Sequence, residues 1–191
     1  RSTLVALGAV TLAWLAFVSR WWIADAVVPW DSKNHFHAML RFLAASIHAG
    51  EIPLWNPVHF AGHPSVADPQ SLLFTPTIAW LAWLGPAPTM RMFDLVVFAH
   101  LLDGGLAVVL LGRRQGWHWV AAAFAGLVFM VGGSAAGRLQ HTGMIVSYAL
   151  FPVAWLLLEA MLARRSFVVA IGFGLVAALM ALGRDQVAFL F

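Results

Sequence analysis

The sequence predicts an all-α integral membrane protein, and three features of its composition support that prediction. Of the 191 residues, 62% are hydrophobic and only 10% are charged, whereas a soluble domain carries about 25% charged residues. The mean hydropathy is +0.85. The apolar residues are gathered into about five segments that approach the roughly 20 residues a helix needs to cross a membrane.

The five predicted spans alternate in direction, and arginine pairs set their orientation. Pairs at 113–114 and 164–165 occupy two short connections on the same side of the membrane, and loops rich in arginine stay in the cytoplasm. The N-terminus is therefore expected inside. Glycines at 104–105 and 132–133 are expected to allow close packing of neighbouring helices. The predicted spans are residues 3–24, 91–112, 119–136, 144–162 and 167–182.

Charge and cysteine content exclude several classes of function. The formal net charge is +3, but most arginines lie at the ends of predicted spans, which indicates a role in topology and no binding of nucleic acid. Because the sequence has no cysteine, disulfides, thiolate metal sites and cysteine nucleophiles are excluded. The chain starts without methionine and stops within an apolar run. Residues 1–191 are therefore expected to be a single transmembrane domain, the N-terminal part of a longer protein.

A long polar loop, residues 29–76, connects the first two predicted spans on the outer, extracytoplasmic side. It holds five of the eight histidines, so any chemistry is expected there. Within it, an apolar stripe at helical spacing predicts an interfacial helix that ends at Gly50 and lays its apolar face on the lipid. Residues 72–84 are apolar but too short to span, so an interfacial or re-entrant helix is expected there. The stripe consists of Phe36, Met39, Leu40, Leu43 and Ile47.

Short motifs follow one another through this loop in a distinctive order. Pro29 and Asp31 open it, and then come GEIPLWNP at 50–57, GHP at 62–64, DPQ at 68–70 and FTP at 74–76. This order resembles the YfhO-type family of bacterial membrane proteins, which belongs to the polytopic glycosyltransferases of class GT-C. The resemblance extends to His100, to Phe151, Pro152 and Glu159, and to GRDQ at 183–186, where that family often has GHPQ.

The resemblance implies a GT-C-like fold in the bacterial cytoplasmic membrane. It also implies an enzyme that transfers a sugar from a polyprenyl-phosphate carrier to an acceptor at the outer face of that membrane. Membrane lipid and the carrier-linked sugar are then the implied partners. In such enzymes an acid in the first external loop is the catalytic base, and the matching position here is Asp31.

The chemistry of glycosyl transfer independently favours a carboxylate in this loop. A base must accept the proton of the acceptor hydroxyl, and cations must stabilise the departing phosphate at the membrane surface. Asp31 suits the first role, but Asp31 or Ser32 is also suited to cap a helix that begins near Lys33. Capping and catalysis are thus two interpretations of the same residue.

Other polar residues on the outer side are candidate substrate contacts. The lysine and the arginines among them pair well with phosphate, although such residues also bind anionic headgroups. The candidate substrate-binding residues are Lys33, Asp68, Gln70, Arg138, His141, Arg184 and Gln186.

Two metal hypotheses arise from the loop. Asp31 and Asp68 are candidate ligands for a divalent cation, the one cofactor considered, although the DPQ run at 68–70 also forms ordinary turns. A second hypothesis is a transition-metal site built from the loop histidines. A helix would hold the first two of these rings about 200° apart, however, and no third ligand is evident. The histidines concerned are His35, His37, His59 and His63.

Two alternatives to an enzyme stay open. The first is a non-catalytic membrane subunit, packed through its tryptophans and glycines against other membrane subunits of a larger complex. The second is a transporter or flippase in which His100 and Asp103, three residues apart on one face of the second span, line a pathway. The same pair also has a structural interpretation, in which the two side chains satisfy each other or a neighbouring helix.

Overall fold

Helices form almost all of the regular structure of the chain. The computed structural model describes residues 1–59, 61–68 and 70–182, and the predicted all-α class is confirmed for this part. The helices are α1 (Ser2–Ile23), α2 (His37–His48), α3 (Pro76–Leu84), α4 (Met90–Arg114), α5 (Trp119–Val131), α6 (Gly133–Ala136), α7 (Thr142–Arg164) and α8 (Phe167–Leu182).

Four helical segments of the described chain are long and apolar enough to cross a membrane. They are α1, α4, α7 and Trp119–Ala136, which joins α5 and α6, and they match four of the five predicted spans. α8 has the bounds predicted for the fifth span, and the 16 residues described in it are fewer than the roughly 20 that a crossing needs. These segments indicate a membrane-embedded helical protein.

α4 is the central helix of the bundle and contacts α1, α5 and α7. Glycines permit the close approach, because a Cβ on Gly104 would lie 2.6 Å from the carbonyl oxygen of Ala149 in α7. Gly105 packs equally closely against α5, so the first predicted glycine pair is confirmed. The prediction for the second pair is wrong, because Gly132 ends α5 and its closest contact is the carbonyl of Val128 in that same helix.

α1 and α4 run antiparallel, and hydrogen bonds tie both ends of the pair. At one end the guanidinium of Arg113 donates to the hydroxyl of Thr3 at 3.2 Å. At the other end the backbone N–H of Val28 donates to the carboxylate of Asp94 at 3.0 Å. We call this second end, where α1 ends and where α4 and α7 begin, the loop end of the bundle.

The loop helix α2 forms where the apolar stripe predicts it, but its surroundings differ from the prediction. A π-helical turn, Ser32–Phe36, leads directly into α2, and the helix is followed by Gly50 at a φ of +74°. The predicted contact of the stripe with lipid is wrong, because Leu40 and Leu43 are buried in the protein core. α3 packs against α2 and covers this face.

α3 is a short helix that lies beside the first half of α4. Its nine residues make it about 14 Å long, less than half of the roughly 30 Å of a bilayer core. The hydroxyl of Thr77 lies 3.2 Å from Nε2 of His100, ten residues after Met90. Residues 76–84 are therefore helical and too short to span a bilayer, as predicted, and the interfacial or re-entrant placement of residues 72–84 stays a prediction.

Candidate functional site

A polar cavity of about 420 Å³ opens at the loop end of the bundle. Three of its lining residues, Asp31, Asp68 and Gln70, are predicted site residues. The other two are His35 and His63, for which the sequence indicated only metal binding. The folded loop therefore gathers residues from three of its parts into one open site.

A short hairpin, whose two strands have two residues each, shapes the part of the loop that carries His63. Trp55–Asn56 pairs with His63–Pro64 as two antiparallel strands, β1 and β2. In the turn between them Gly62 has a φ of +101°, and a Cβ at this position would lie 3.0 Å from the ring of Trp55. Both the backbone conformation and the space therefore require glycine. The GHP motif therefore ends the connection at Gly62 and continues as β2, which carries His63 to the cavity wall.

The side chain of Asp31 lines the cavity and does not cap the helix that follows. Asp31 stands directly before the Ser32–Phe36 turn, yet its carboxylate makes no capping hydrogen bond. It is 58% exposed, and its Oδ2 lies 3.3 Å from Nδ1 of His141. Capping, the structural interpretation considered for Asp31, is not the interaction that this side chain makes.

The start of α7 holds His141 against Asp31. Thr142, the first residue of α7, is fully buried, and its hydroxyl donates to the hydroxyl of Ser32 at 3.5 Å. Nε2 of His141 lies 3.5 Å from the amide nitrogen of Gln140, which can only donate. The neutral ring therefore carries its proton on Nδ1, the atom that faces Asp31. His141, a predicted substrate contact, is thus also placed to orient the carboxylate.

His63 and Asp68 form a second contact between an imidazole and a carboxylate in the cavity wall. Nε2 of His63 is 3.5 Å from Oδ2 of Asp68, and its Nδ1 is 3.3 Å from the carbonyl oxygen of His59. Because a carbonyl only accepts, protonation of Nε2 would complete an ion pair with Asp68. The other oxygen of Asp68 accepts from the backbone N–H of Gln70 at 2.8 Å. Asp68 is therefore both the turn residue that the DPQ motif predicts and an acid of the cavity.

Three histidine rings form a row beside the cavity. The ring centroids of His35 and His59 are 5.4 Å apart, and those of His59 and His63 are 5.5 Å apart. His37 makes a separate contact, with its Nε2 3.0 Å from the carbonyl oxygen of Pro88. Burial lowers the pKa of His37 because desolvation disfavours the charged ring.

The described residues give the metal hypotheses no further support. Among residues 1–59, 61–68 and 70–182, no group of three or more histidine, aspartate or glutamate side chains could hold a metal ion. Asp31 and Asp68 line the same cavity, but no third ligand joins them there. The carboxylates and imidazoles of the cavity wall can transfer protons and form hydrogen bonds.

The predicted phosphate-binding cations that the structure describes do not line the cavity. Lys33 and Arg138 are exposed, and neither belongs to the cavity wall. The predicted contacts Arg184 and Gln186 lie outside the described residues. Within the described wall, the side chains that can carry positive charge are histidines.

Asp94 is a buried acid at the loop end that the sequence analysis missed. It is the fifth residue of α4, is only 3% exposed, and accepts the hydrogen bond from Val28. Because Val28 precedes Asp31 by three residues, this bond holds the segment that leads into the site. The available signal was an acidic residue inside a predicted membrane span.

Comparisons with protein-family models, curated proteins and solved structures find no match for this chain. The resemblance to YfhO-type proteins therefore stays a prediction from the order of motifs. The fold and the cavity define a broader class. The chain is a helical membrane-embedded protein with a polar cavity, lined by carboxylates and histidines, at one end of its bundle.

Proposed function

We propose that the protein transfers a sugar from a polyprenyl-phosphate carrier to an acceptor, with Asp31 as the catalytic base. The observation that carries this proposal is an uncapped, half-exposed carboxylate on an open polar cavity at the end of an apolar bundle. A lipid-linked donor keeps its chain in the hydrocarbon and presents its sugar phosphate at the membrane surface. A cavity at a bundle end suits such a donor, and the GT-C resemblance independently points to Asp31.

In the proposed reaction the acceptor hydroxyl attacks the anomeric carbon of the donor sugar. The bond from that carbon to the phosphate oxygen breaks, and the phosphate leaves on the carrier with the electron pair. Asp31 takes the proton of the attacking hydroxyl. His141, through its Nδ1–H, holds the carboxylate in one orientation during this step.

Histidines take the place of arginines beside the phosphate in this proposal. His35 and His63 line the cavity, and a protonated imidazole donates charge-assisted hydrogen bonds to phosphate oxygens. Asp68 and Gln70 supply the acceptors and donors that suit the hydroxyl groups of a sugar. Lys33 then contacts anionic headgroups outside the cavity.

Sugar transfer by the full-length protein in membranes tests this assignment, with a set of radiolabelled polyprenyl-phosphate sugars as donors. Asp31→Asn keeps the size of the side chain but removes the basic carboxylate. We expect turnover to fall about 10²–10⁴-fold at a normal protein level. His141→Gln should lower turnover by a smaller factor, because it removes only the group that orients Asp31.

Glu51→Gln is the matched control, because Glu51 is an exposed acid of the same loop that does not line the cavity. This variant should transfer sugar at the wild-type rate. If the wild type transfers sugar from none of the donors, or if Asp31→Asn matches it, the proposal is wrong.

The two alternatives place different demands on the chain. A non-catalytic subunit needs no reactive carboxylate, so its stability and assembly should be indifferent to Asp31→Asn. A transport role would use a separate groove beside His100 and Asp103. This groove is the one observation that favours transport.

A further inference from the structure

A second polar groove, of about 210 Å³, lies where α3, α4, α7 and α8 meet. The start of α3 contributes two threonine hydroxyls, and α4 contributes His100 and Asp103. None of its lining residues lines the cavity at Asp31, so the groove is a separate site. The full lining is Thr75, Pro76, Thr77, His100, Asp103, Val146, Leu150 and Leu179.

The groove lies beside the middle of a helix that is long enough to cross a membrane. His100 and Asp103 follow Met90, the first residue of α4, by distances of about 15 Å and 20 Å at 1.5 Å per residue. The bilayer core is roughly 30 Å thick, so both side chains lie well inside it if α4 spans it. Ionisable side chains at this depth are costly, and they mark functional sites more often than not.

His100 is held so that it can gain a proton without losing a hydrogen bond. Its Nδ1 is 2.8 Å from the carbonyl oxygen of Val96, which only accepts, so Nδ1 always carries a proton. Its Nε2 is 3.2 Å from the hydroxyl of Thr77. That hydroxyl donates to a neutral ring and accepts from a protonated ring. Both states of His100 therefore keep both hydrogen bonds.

Asp103 gives the groove an unbalanced charge. It is exposed and lies one turn from His100 on the same face of α4. Among the described residues it is in none of the ion pairs. Of the described residues that α3, α7 and α8 place in the lining of the groove, all have hydroxyl or apolar side chains. With a neutral imidazole, the groove would carry one negative charge inside the membrane.

We propose that His100 and Asp103 together bind one proton and make this groove a membrane-embedded proton-binding site. A proton on Asp103 leaves two neutral side chains, and a proton on His100 leaves an imidazolium beside a carboxylate. Both arrangements remove the net charge that the bilayer disfavours, and the hydroxyl of Thr77 serves both. The groove is large enough to admit water, and the side chains of Thr77, His100 and Asp103 offer that water polar partners. The site does not depend on the role of Asp31.

Reaction with dicyclohexylcarbodiimide, an apolar carbodiimide, tests for a protonated carboxyl group inside the membrane. The acid adds its oxygen and its proton across one N=C bond and rearranges to an N-acylurea, so no further reactant is needed. We expect one adduct at Asp103 in the full-length protein in lipid vesicles, located by the mass of the labelled peptide. The adduct should form at least about tenfold faster at pH 6 than at pH 9, because only the protonated acid reacts.

Glu159 is the internal control, because it is an acid of α7 that accepts a hydrogen bond from the indole of Trp155 at 2.9 Å. We expect no adduct there. Asp103→Asn should abolish the labelling. His100→Gln should increase labelling at the acid end of this pH range and leave it unchanged at the alkaline end, because the bound proton then has Asp103 as its only site.

Several outcomes would overturn the proposal. They are an unmodified Asp103 at every pH between 5 and 9, a labelling rate that does not change with pH, and an unchanged pH dependence in His100→Gln. Protection of Asp103 by sodium at constant pH would also overturn it, since a metal cation and not a proton would then be the ligand.

Discussion

The hydrogen bond from Val28 to Asp94 tests how the helix bundle supports the candidate site. Val28 is 1% exposed and Asp94 is 3% exposed, so removal of the acceptor leaves an N–H group that water does not reach. An unpartnered buried backbone donor costs about 1–3 kcal/mol. Asp94→Ala should destabilise the fold by about this amount. Asp94→Asn, which keeps an oxygen acceptor, should cost clearly less.

Thermal unfolding of the purified full-length protein measures this change. Each kcal/mol lowers Tm by about 2–4 °C for a chain of 150–250 residues, so Asp94→Ala should lower Tm by about 2–12 °C. Hydrogen exchange at the amide of Val28 should also accelerate, because that N–H loses its acceptor. Sugar transfer should fall in the same variant, since a small displacement of the segment before Asp31 moves the base away from its substrate.

Equal Tm values and equal exchange rates for the wild type and Asp94→Ala would refute this reasoning. If Asp94→Asn lost as much stability as Asp94→Ala, the negative charge, and not the acceptor oxygen, would be what the fold needs from this residue.

Two further predictions concern packing and pH. Gly104→Ala should cost about 1–3 kcal/mol and lower the yield of folded protein, because its Cβ would meet a fixed backbone oxygen of α7 at 2.6 Å. Gly172→Ala is its control, with the nearest atom at 3.9 Å, and an equal loss in both variants would contradict the packing argument. Burial lowers the pKa of His37 from 6.5, so the unfolded chain binds this proton at higher pH and stability falls as pH drops below about 6.5. His37→Gln, which keeps a hydrogen-bond donor, should therefore lose less Tm than the wild type between pH 7.5 and pH 5.5, and an equal loss would count against this explanation.

The membrane-crossing helices were predictable because hydrophobic length is a local property of the chain. Four of the five predicted spans correspond to α1, α4, α7 and Trp119–Ala136. The break at Gly132 within the last of these was not predicted. Hydropathy reports the sum over a segment, and a change of backbone direction at one glycine leaves that sum unchanged.

The loop helix α2 shows what helical periodicity can predict and what it cannot. The stripe that begins at Phe36 predicted α2 correctly, since a 3.6-residue repeat identifies a helix and its apolar face. The repeat does not identify what covers that face. Lipid was expected, but α3 packs against this face of α2.

The residues of the candidate site were predictable from the sequence, but a contact between two of them was not. Asp31, Asp68 and Gln70 belong to motifs that can be read along the loop, so these residues were predictable. The contact of Asp31 with His141 joins residues 110 positions apart, and no local pattern specifies such a pair.

By itself, the sequence determined that the chain is helical and membrane-embedded, where most of its spans lie, and which loop carries the acids and histidines. Only the tertiary structure decided that Asp31 faces a cavity and does not cap a helix, that His35 and His63 line the described cavity wall whereas Lys33 and Arg138 do not, and that Asp94 holds the segment before Asp31 through Val28. The physical reason is the range of the interactions. Hydropathy and helical period act between residues a few positions apart, whereas a site depends on the packing of segments that the chain separates.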